Sequence, residues 1–210
     1  MKKIFLKLLF ALGILEFLVV LPLSALELDA IKPKLNVDLT KAVEILATQK
    51  SLKQKESELF AIFDEYFDYA LMTRLALGDA YKDLNDEQKK RFESAFVAKL
   101  KFSFSEKLGL YTNQSIKITG DESPNPKRYF IHAQIKGENE VYKIIFKFYK
   151  KSENEYLLYD IDILGVSIIQ TYRAQFEDLK NAGFDEILAR INAKNAIDEA
   201  GKKITNEQKR

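Results

Sequence analysis

Asp160 and Asp162 stand two residues apart in the stretch YDIDILGVSIIQTYRAQF, with Gly165 and Ser167 close behind. Paired carboxylates can hold a metal ion or divide acid and base work, and a serine beside a turn can serve as a nucleophile. Strand geometry argues for something plainer. Residues i and i+2 of a strand share a face, so both aspartates lie opposite Tyr159 and Ile161, on the side that carries Lys143 and Lys147 of the segment before. Opposite charges facing one another across strands are common and contribute about 0.2–1 kcal/mol each, and an exposed charge pair is the preferred reading. Ser167 precedes Gln170 by three residues, the spacing of a capping box, which commits its hydroxyl to a helix N–H. A nucleophilic serine needs a base, yet the chain has one histidine, His132, and no G-x-S-x-G surrounds Ser167. Nothing in the sequence supports a Ser–Lys pair. The stretch reads as a turn from strand into helix, with no catalytic residue and no metal ligand.

The elements that must position this turn change period halfway along the chain. Helices are expected over 39–50 and 56–77, the second stopped by Gly78, and a third begins at Asn85, which with Gln88 makes a reciprocal N-terminal cap. In that third helix Phe92, Phe96, Leu100, Phe104 and Leu108 recur every fourth residue and form one apolar stripe. The helix before it carries Leu59, Phe60, Ile62, Phe63, Tyr66, Phe67, Tyr69 and Leu71, an arc too wide for a surface helix, so it is expected to be largely buried.

Beyond residue 114 the period falls to two. Tyr129, Ile131, Ala133 and Ile135 share one face of a strand; Tyr142, Ile144, Phe146 and Phe148 share one face of the next; Leu157, Tyr159, Ile161 and Ile163 share one face of the last. A weaker strand with Ile116 and Ile118 precedes them. Short links at Gly137-Glu138-Asn139 and Ser152-Glu153-Asn154 imply hairpins, hence an antiparallel meander wet on one side. The fold class is α+β: a helical N-terminal half packed on a curved antiparallel four-stranded sheet, with C-terminal helices.

Residues 1–25 have the pattern of a secretory signal peptide: Lys2, Lys3 and Lys7, an apolar run, and the small residues Ser24 and Ala25 as a cleavage site near Ala25. Residues 26–192 then form one domain and 193–210 a polar tail. Lys and Arg number 33 against 31 Asp and Glu, and residues 1–25 hold three Lys and one Glu, so the mature chain is balanced. That argues against nucleic acid and against a polybasic membrane tether. The chain has no Cys, so export would leave the fold without disulfides.

FAIFDEYFDYALMTRLALGDAY, NDEQKKRFESAFVAKL and above all YDIDILGVSIIQTYRAQFEDLKNAGFDEILARI resemble the MlaC family, the toluene-tolerance group of periplasmic phospholipid-binding proteins, over roughly 35–191. The most specific piece is GVS-x3-TYR-x-QF at Gly165 to Phe176. Many members have a Trp shortly before the Tyr-Asp of this strand; here the sequence is EYLLYD and the chain contains no Trp.

The resemblance implies a periplasmic carrier, monomeric and not an enzyme, that encloses phospholipid acyl chains in an apolar cavity of the α+β fold. It implies lipid transfer between an outer-membrane lipoprotein complex and an inner-membrane ABC transporter with an MCE-domain subunit, in maintenance of outer-membrane asymmetry. Phospholipid is the cargo, and no cofactor is implied. The expected lining is the inward strand face: Tyr129, Ile131, Ile135, Tyr142, Ile144, Phe146, Phe148, Leu157, Tyr159, Ile161 and Ile163. Without the resemblance those positions would read as an ordinary filled core. Arg74 and Arg173 have the guanidinium geometry for a phosphate but read as structural ion-pair partners. Two other classes fit the same pattern, a small isomerase-like or dehydratase-like pocket enzyme and a non-lipid protein-interaction module.

Overall fold

The computed structural model describes residues 26–193 apart from 109, 110, 112, 139 and 180. The expected signal peptide, the tail beyond 193 and Asn139 of one hairpin lie outside the described residues. Among the described residues six α-helices and five strands follow in the order α1 (Leu28–Ala47), α2 (Leu52–Phe63), α3 (Tyr69–Leu77), α4 (Asp86–Leu108), β1 (Ser115–Asn125), β2 (Arg128–Lys136), β3 (Val141–Ser152), β4 (Glu155–Ile163), β5 (Val166–Ser167), α5 (Ile168–Phe176) and α6 (Phe184–Ala193). The sheet is antiparallel in sequence order, β1-β2-β3-β4-β5, and open.

The first helix starts eleven residues before the expected one and runs through Pro33. A proline inside a helix removes one backbone hydrogen bond and normally signals a boundary. Packing overrides it here: Ile31, Leu35 and Leu39 are buried on either side of Pro33.

The expected helix over 56–77 is two helices. Between them Asp64–Tyr66 tightens into a 3₁₀ turn, and Phe67 goes extended to bridge Leu158 of β4. The Asp68 carboxylate then accepts from the Leu71 N–H at 2.9 Å and caps α3. This break divides the wide apolar arc between two helices and the turn that joins them; of its eight residues only Leu59 and Tyr66 are buried and the other six are half-buried, so the arc is less buried than its width implied. Gly78 ends α3 at φ 66°, a conformation that favours glycine. Asn85 and Gln88 form the reciprocal cap of α4, with Asn85 N–H to Gln88 Oε1 at 3.0 Å and Gln88 N–H to Asn85 Oδ1 at 2.9 Å. From α4 the residues Phe92, Phe96 and Leu100 are fully buried, and the first two pack on Phe176 and Tyr172 of α5.

The fifth strand was absent from the four-stranded expectation. Leu164 and Gly165, at φ 52° and 82°, make a two-residue hairpin turn that folds Val166–Ser167 back along Asp162–Ile163. Two residues are too few to show a period, so the chain appeared to pass straight from Gly165 into the helix.

The bulge in β4 matters most. Pairing to β3 runs Phe146 with Ile161 and Lys147 with Asp160, then slips so that Phe148 faces Leu158 and Tyr149 faces Leu157, which leaves Tyr159 as the extra residue. A bulge reverses the alternation beyond it and bends the strand. Tyr156 and Leu158 therefore join Ile161 on the inner face. Leu157 and Tyr159, expected inside, point to the other face, where the Tyr159 ring meets Tyr149 edge-on at 6.1 Å and lies under the Arg128 guanidinium at 4.7 Å.

Polar contacts fasten α1 to the rest. Lys32 pairs with Asp121 of β1, which also accepts from the Tyr129 hydroxyl at 3.0 Å. Asp38, 4 % exposed, accepts from Lys34 at 2.7 Å, from Tyr66 OH at 2.7 Å and from Lys41 at 3.4 Å. Burial would raise the Asp38 pKa, but the hydrogen bonds from Lys34 and Tyr66 outweigh it and hold the carboxyl below its ordinary 3.8. A folded pKa below the unfolded one stabilises at all pH above the unfolded value and is lost as pH falls through the folded value. Wild type is thus expected to be more resistant to urea than Asp38→Asn at pH 7, with the gap between their midpoints shrinking as the pH is lowered toward 3. A gap independent of pH would contradict the ionised tie.

Candidate functional site

The inner face of the sheet does not meet the helices everywhere. Between it and α1, α2 and the end of α4 lies a cavity of about 280 Å³. Its helical wall is Leu35, Leu39, Ala42, Val43 and Leu46 of α1, Leu59, Phe60 and Phe63 of α2, and Phe104 and Leu108 of α4. The first five recur at helical spacing, one turn after another along a single face. On the sheet side stand Ile116, Ile135, Phe146, Phe148, Leu158 and Ile161, with Tyr66 and Phe67 closing the deep end and Tyr111, Gln114 and Ser115 at the other. Among the described residues that line it there is no Asp, Glu, His, Lys or Arg.

The size decides what the space can be. Protein interiors are close-packed and hold few voids larger than a water molecule, while an apolar cavity of about 150 Å³ already stays dry and takes up benzene. At about 24 cal/mol per Å³, leaving 280 Å³ unfilled costs on the order of 7 kcal/mol, comparable with the whole stability of an ordinary domain. An apolar space of this extent is suited to an apolar occupant.

Of the eleven expected lining residues, the cavity brings together Ile135, Phe146, Phe148 and Ile161. Tyr129, Ile131 and Ile144 belong to the packed core beside it, and Ile163 packs against that core. Tyr142, the cross-strand partner of Ile135, is half-buried and lines no part of the space. Leu157 and Tyr159 are on the far face because of the bulge, and Leu158 takes the place that strict alternation assigned to its neighbours. The α1 face went unassigned in the sequence, although its spacing from Leu35 to Leu46 is a regular helical stripe; the proline and the late start assumed for the helix hid it.

The carboxylates that opened the inquiry lie on the opposite face of the sheet. Lys147 bonds Asp162 at 2.7 Å and Asp160 at 3.2 Å, so the cross-strand charge pair exists, with Lys147 and not Lys143 as partner. The pair is not exposed, however: the Asp160, Asp162 and Lys147 side chains retain 6 %, 13 % and 18 % of their accessibility. The N-terminus of α5 covers them. Asp160 accepts from the Ser167 hydroxyl at 2.7 Å and from the Ile169 N–H at 3.1 Å, while Ser167 Oγ accepts from Gln170 N–H at 3.0 Å. Burial opposes the charge of Lys147, but the Asp162 hydrogen bond and the fields of both aspartates raise its pKa, so it stays protonated and is no base. The Ser167 proton points to a carboxylate whose other contacts are structural. This assembly joins α5 to the sheet.

Arg173 lays its guanidinium across Gly78, with Nε 3.5 Å from where a Cβ would stand. Neither Arg173 nor Arg74 lines the apolar cavity. His132 meets Glu122 at 3.2 Å on the half-exposed face. Among the described residues no cluster of His, Cys, Asp or Glu could hold a metal ion, and no helix is long and apolar enough to cross a membrane.

A family model described as MlaC protein matches residues 38–193. Among solved structures, the phospholipid-binding protein from Ralstonia solanacearum, determined in complex with a phospholipid, superposes with a TM-score of 0.63 at 22% identity, over 77% of this chain and 96% of that one. At that identity the likeness establishes the α+β fold. No curated protein matches the chain.

Proposed function

The chain belongs to the MlaC family, and on that premise we propose that it is a periplasmic phospholipid carrier that shelters acyl chain in the cavity under α1 and α2. The observation that carries the reading is a space of about 280 Å³ whose described lining residues include no Asp, Glu, His, Lys or Arg. Benzene in about 150 Å³ corresponds to about 25 Å³ per carbon, so the space takes on the order of eleven methylenes. At about 0.8 kcal/mol each, their burial is worth on the order of 9 kcal/mol, enough to hold a lipid against water. A pocket enzyme needs an acid, a base or a nucleophile aimed at its substrate; the described lining offers only the hydroxyls of Tyr66, which donates to Asp38, and of Tyr111 and Ser115.

Within this reading the carrier takes phospholipid between an outer-membrane lipoprotein complex and an inner-membrane ABC transporter with an MCE-domain subunit, and so keeps phospholipid out of the outer leaflet of the outer membrane. Export from the cytoplasm by residues 1–25 is part of the same proposal. The experiment is genetic. Deletion of the gene from its own bacterium is expected to raise outer-leaflet phospholipid and detergent sensitivity, and re-expression of the wild-type chain to restore both. Unchanged leaflet composition in the deletion strain would contradict the transport role.

A further inference from the structure

The walls of the cavity are not equally attached to the rest of the fold. The sheet wall is tied strand to strand, β2 to β3 and β3 to β4 along their lengths. The α4 wall continues a helix whose Phe92, Phe96 and Leu100 are fully buried, with the first two rings packed on Phe176 and Tyr172. The remaining wall is the corner where α1 turns into α2, which brings Val43, Leu46, Leu59, Phe60 and Phe63 to the lining. From Val43 to Glu58 no side chain is buried, and Leu52 is 44 % exposed.

Side-chain bonds in this stretch turn inward. Lys50 bonds Glu58 at 2.6 Å, Lys55 donates to the Leu46 carbonyl at 2.7 Å, Thr48 donates to the Ile45 carbonyl at 2.6 Å, and Ser51 and Gln54 cap α2 reciprocally. Among the described residues, every side-chain hydrogen bond and ion pair made from 43–58 closes on another residue of 43–58. These bonds brace the corner as one body and leave it unfastened to the sheet and to α4.

The chain is held firmly on either side. Leu35, Leu39 and Ala42 are buried before the corner. After it, Tyr66 donates to Asp38 at 2.7 Å and the Asp68 N–H donates to the Leu158 carbonyl at 2.9 Å. Between corner and anchor lies the 3₁₀ turn Asp64–Tyr66. One pin reaches that turn from outside: Lys101 of α4 bonds Asp64 and stands over the Phe60 ring at 4.9 Å.

A helix of 12 residues is marginal without tertiary packing. The apolar residues of α2 face a space of about 280 Å³, so their packing partner is whatever fills it. Segments with few buried contacts open at free energies well below global unfolding. We propose that the helical corner Val43 to Glu58 is a lid, which swings as one piece about the Asp64–Tyr66 turn and the end of the buried α1 face at Ala42. The inference rests on the carrier reading and adds to it the motion that sets the rate of lipid passage.

Spin labels test the motion directly, because the chain has no Cys and each label position is unique. Lys53 in the corner, Lys90 on α4 and Lys127 at the β1–β2 turn are all exposed. In protein stripped of lipid, double electron–electron resonance on Lys53→Cys with Lys127→Cys is expected to show two distance populations, and on Lys90→Cys with Lys127→Cys one. Loading from phosphatidylethanolamine vesicles should reduce the first pair to a single distance. Lys101→Met removes the pin without touching the lining. An exposed ion pair holds only weakly, so uptake and release of phosphatidylethanolamine should both quicken about two- to fivefold, with the equilibrium affinity unchanged. A single Lys53–Lys127 distance, identical with and without lipid, would overturn the lid and leave the carrier reading standing. So would an affinity that falls in step with the faster release of Lys101→Met at constant uptake, since that marks a contact with the cargo and no gate. Failure of the wild-type chain to take up any lipid would remove the carrier reading, and this inference with it.

Discussion

A glutamate placed midway along the sheet wall, as Phe146→Glu or Ile161→Glu, is expected to abolish lipid capture while at least one of the two proteins stays folded. Both side chains line the cavity and pair with each other across β3 and β4. A carboxylate in an apolar space must be neutralised or hydrated. In a close-packed core neither is possible without unfolding; beside about 280 Å³ of space whose lining reaches the exposed Ser115, water can enter and solvate the charge at the expense of the lipid. The expected result is a soluble variant with native-like circular dichroism and at least a hundredfold less bound lipid, about 3 kcal/mol or more of lost binding. Aggregation of both variants would say that these residues fill a core.

The second large effect is on stability. Asp160→Ala is expected to lower unfolding stability by about 3 kcal/mol, since it strips a buried carboxylate from Lys147 and leaves the Ile169 N–H without its acceptor. Lys147 keeps Asp162 at 2.7 Å, which limits the loss. Ser167→Ala, which removes the α5 cap, should cost only about 1 kcal/mol, and neither variant should change the lipid held by the folded protein, because both residues sit on the face away from the cavity. Urea midpoints measure the first effect and lipid content the second. An Asp160→Ala loss below that of Ser167→Ala would mean that the carboxylate is solvated and the α5 junction is not built on it.

Why some of this was legible and some not can be traced residue by residue. The meander was plain because three strands alternate cleanly, and the α4 cap and the Gly78 stop were plain because their chemistry is local. The bulge at Tyr159 was not, since the run Tyr156-Leu157-Leu158-Tyr159 is apolar on both faces and only cross-strand pairing reveals the extra residue. That one slip displaced Leu157 and Tyr159 from the expected lining and hid Leu158. Asp160 read as exposed because alternation reports which face a side chain takes and says nothing of what later covers that face; α5 folds over it through a hairpin whose first residue is a leucine at φ 52°. The cavity itself was invisible in composition or period, because an apolar residue beside a void and one in a packed core have the same pattern. Only the resemblance carried by GVS-x3-TYR-x-QF raised it, and the α1 half of its wall lay behind a proline that normally ends a helix.

The most direct test of the carrier account is the lipid content of the wild-type chain itself, exported to a bacterial periplasm, purified without detergent and extracted into organic solvent. Burial of about eleven methylenes leaves water no means of competing, so the extract is expected to contain phospholipid at close to one molecule per protein. An extract free of lipid, from protein that also takes up none when mixed with vesicles, would contradict it.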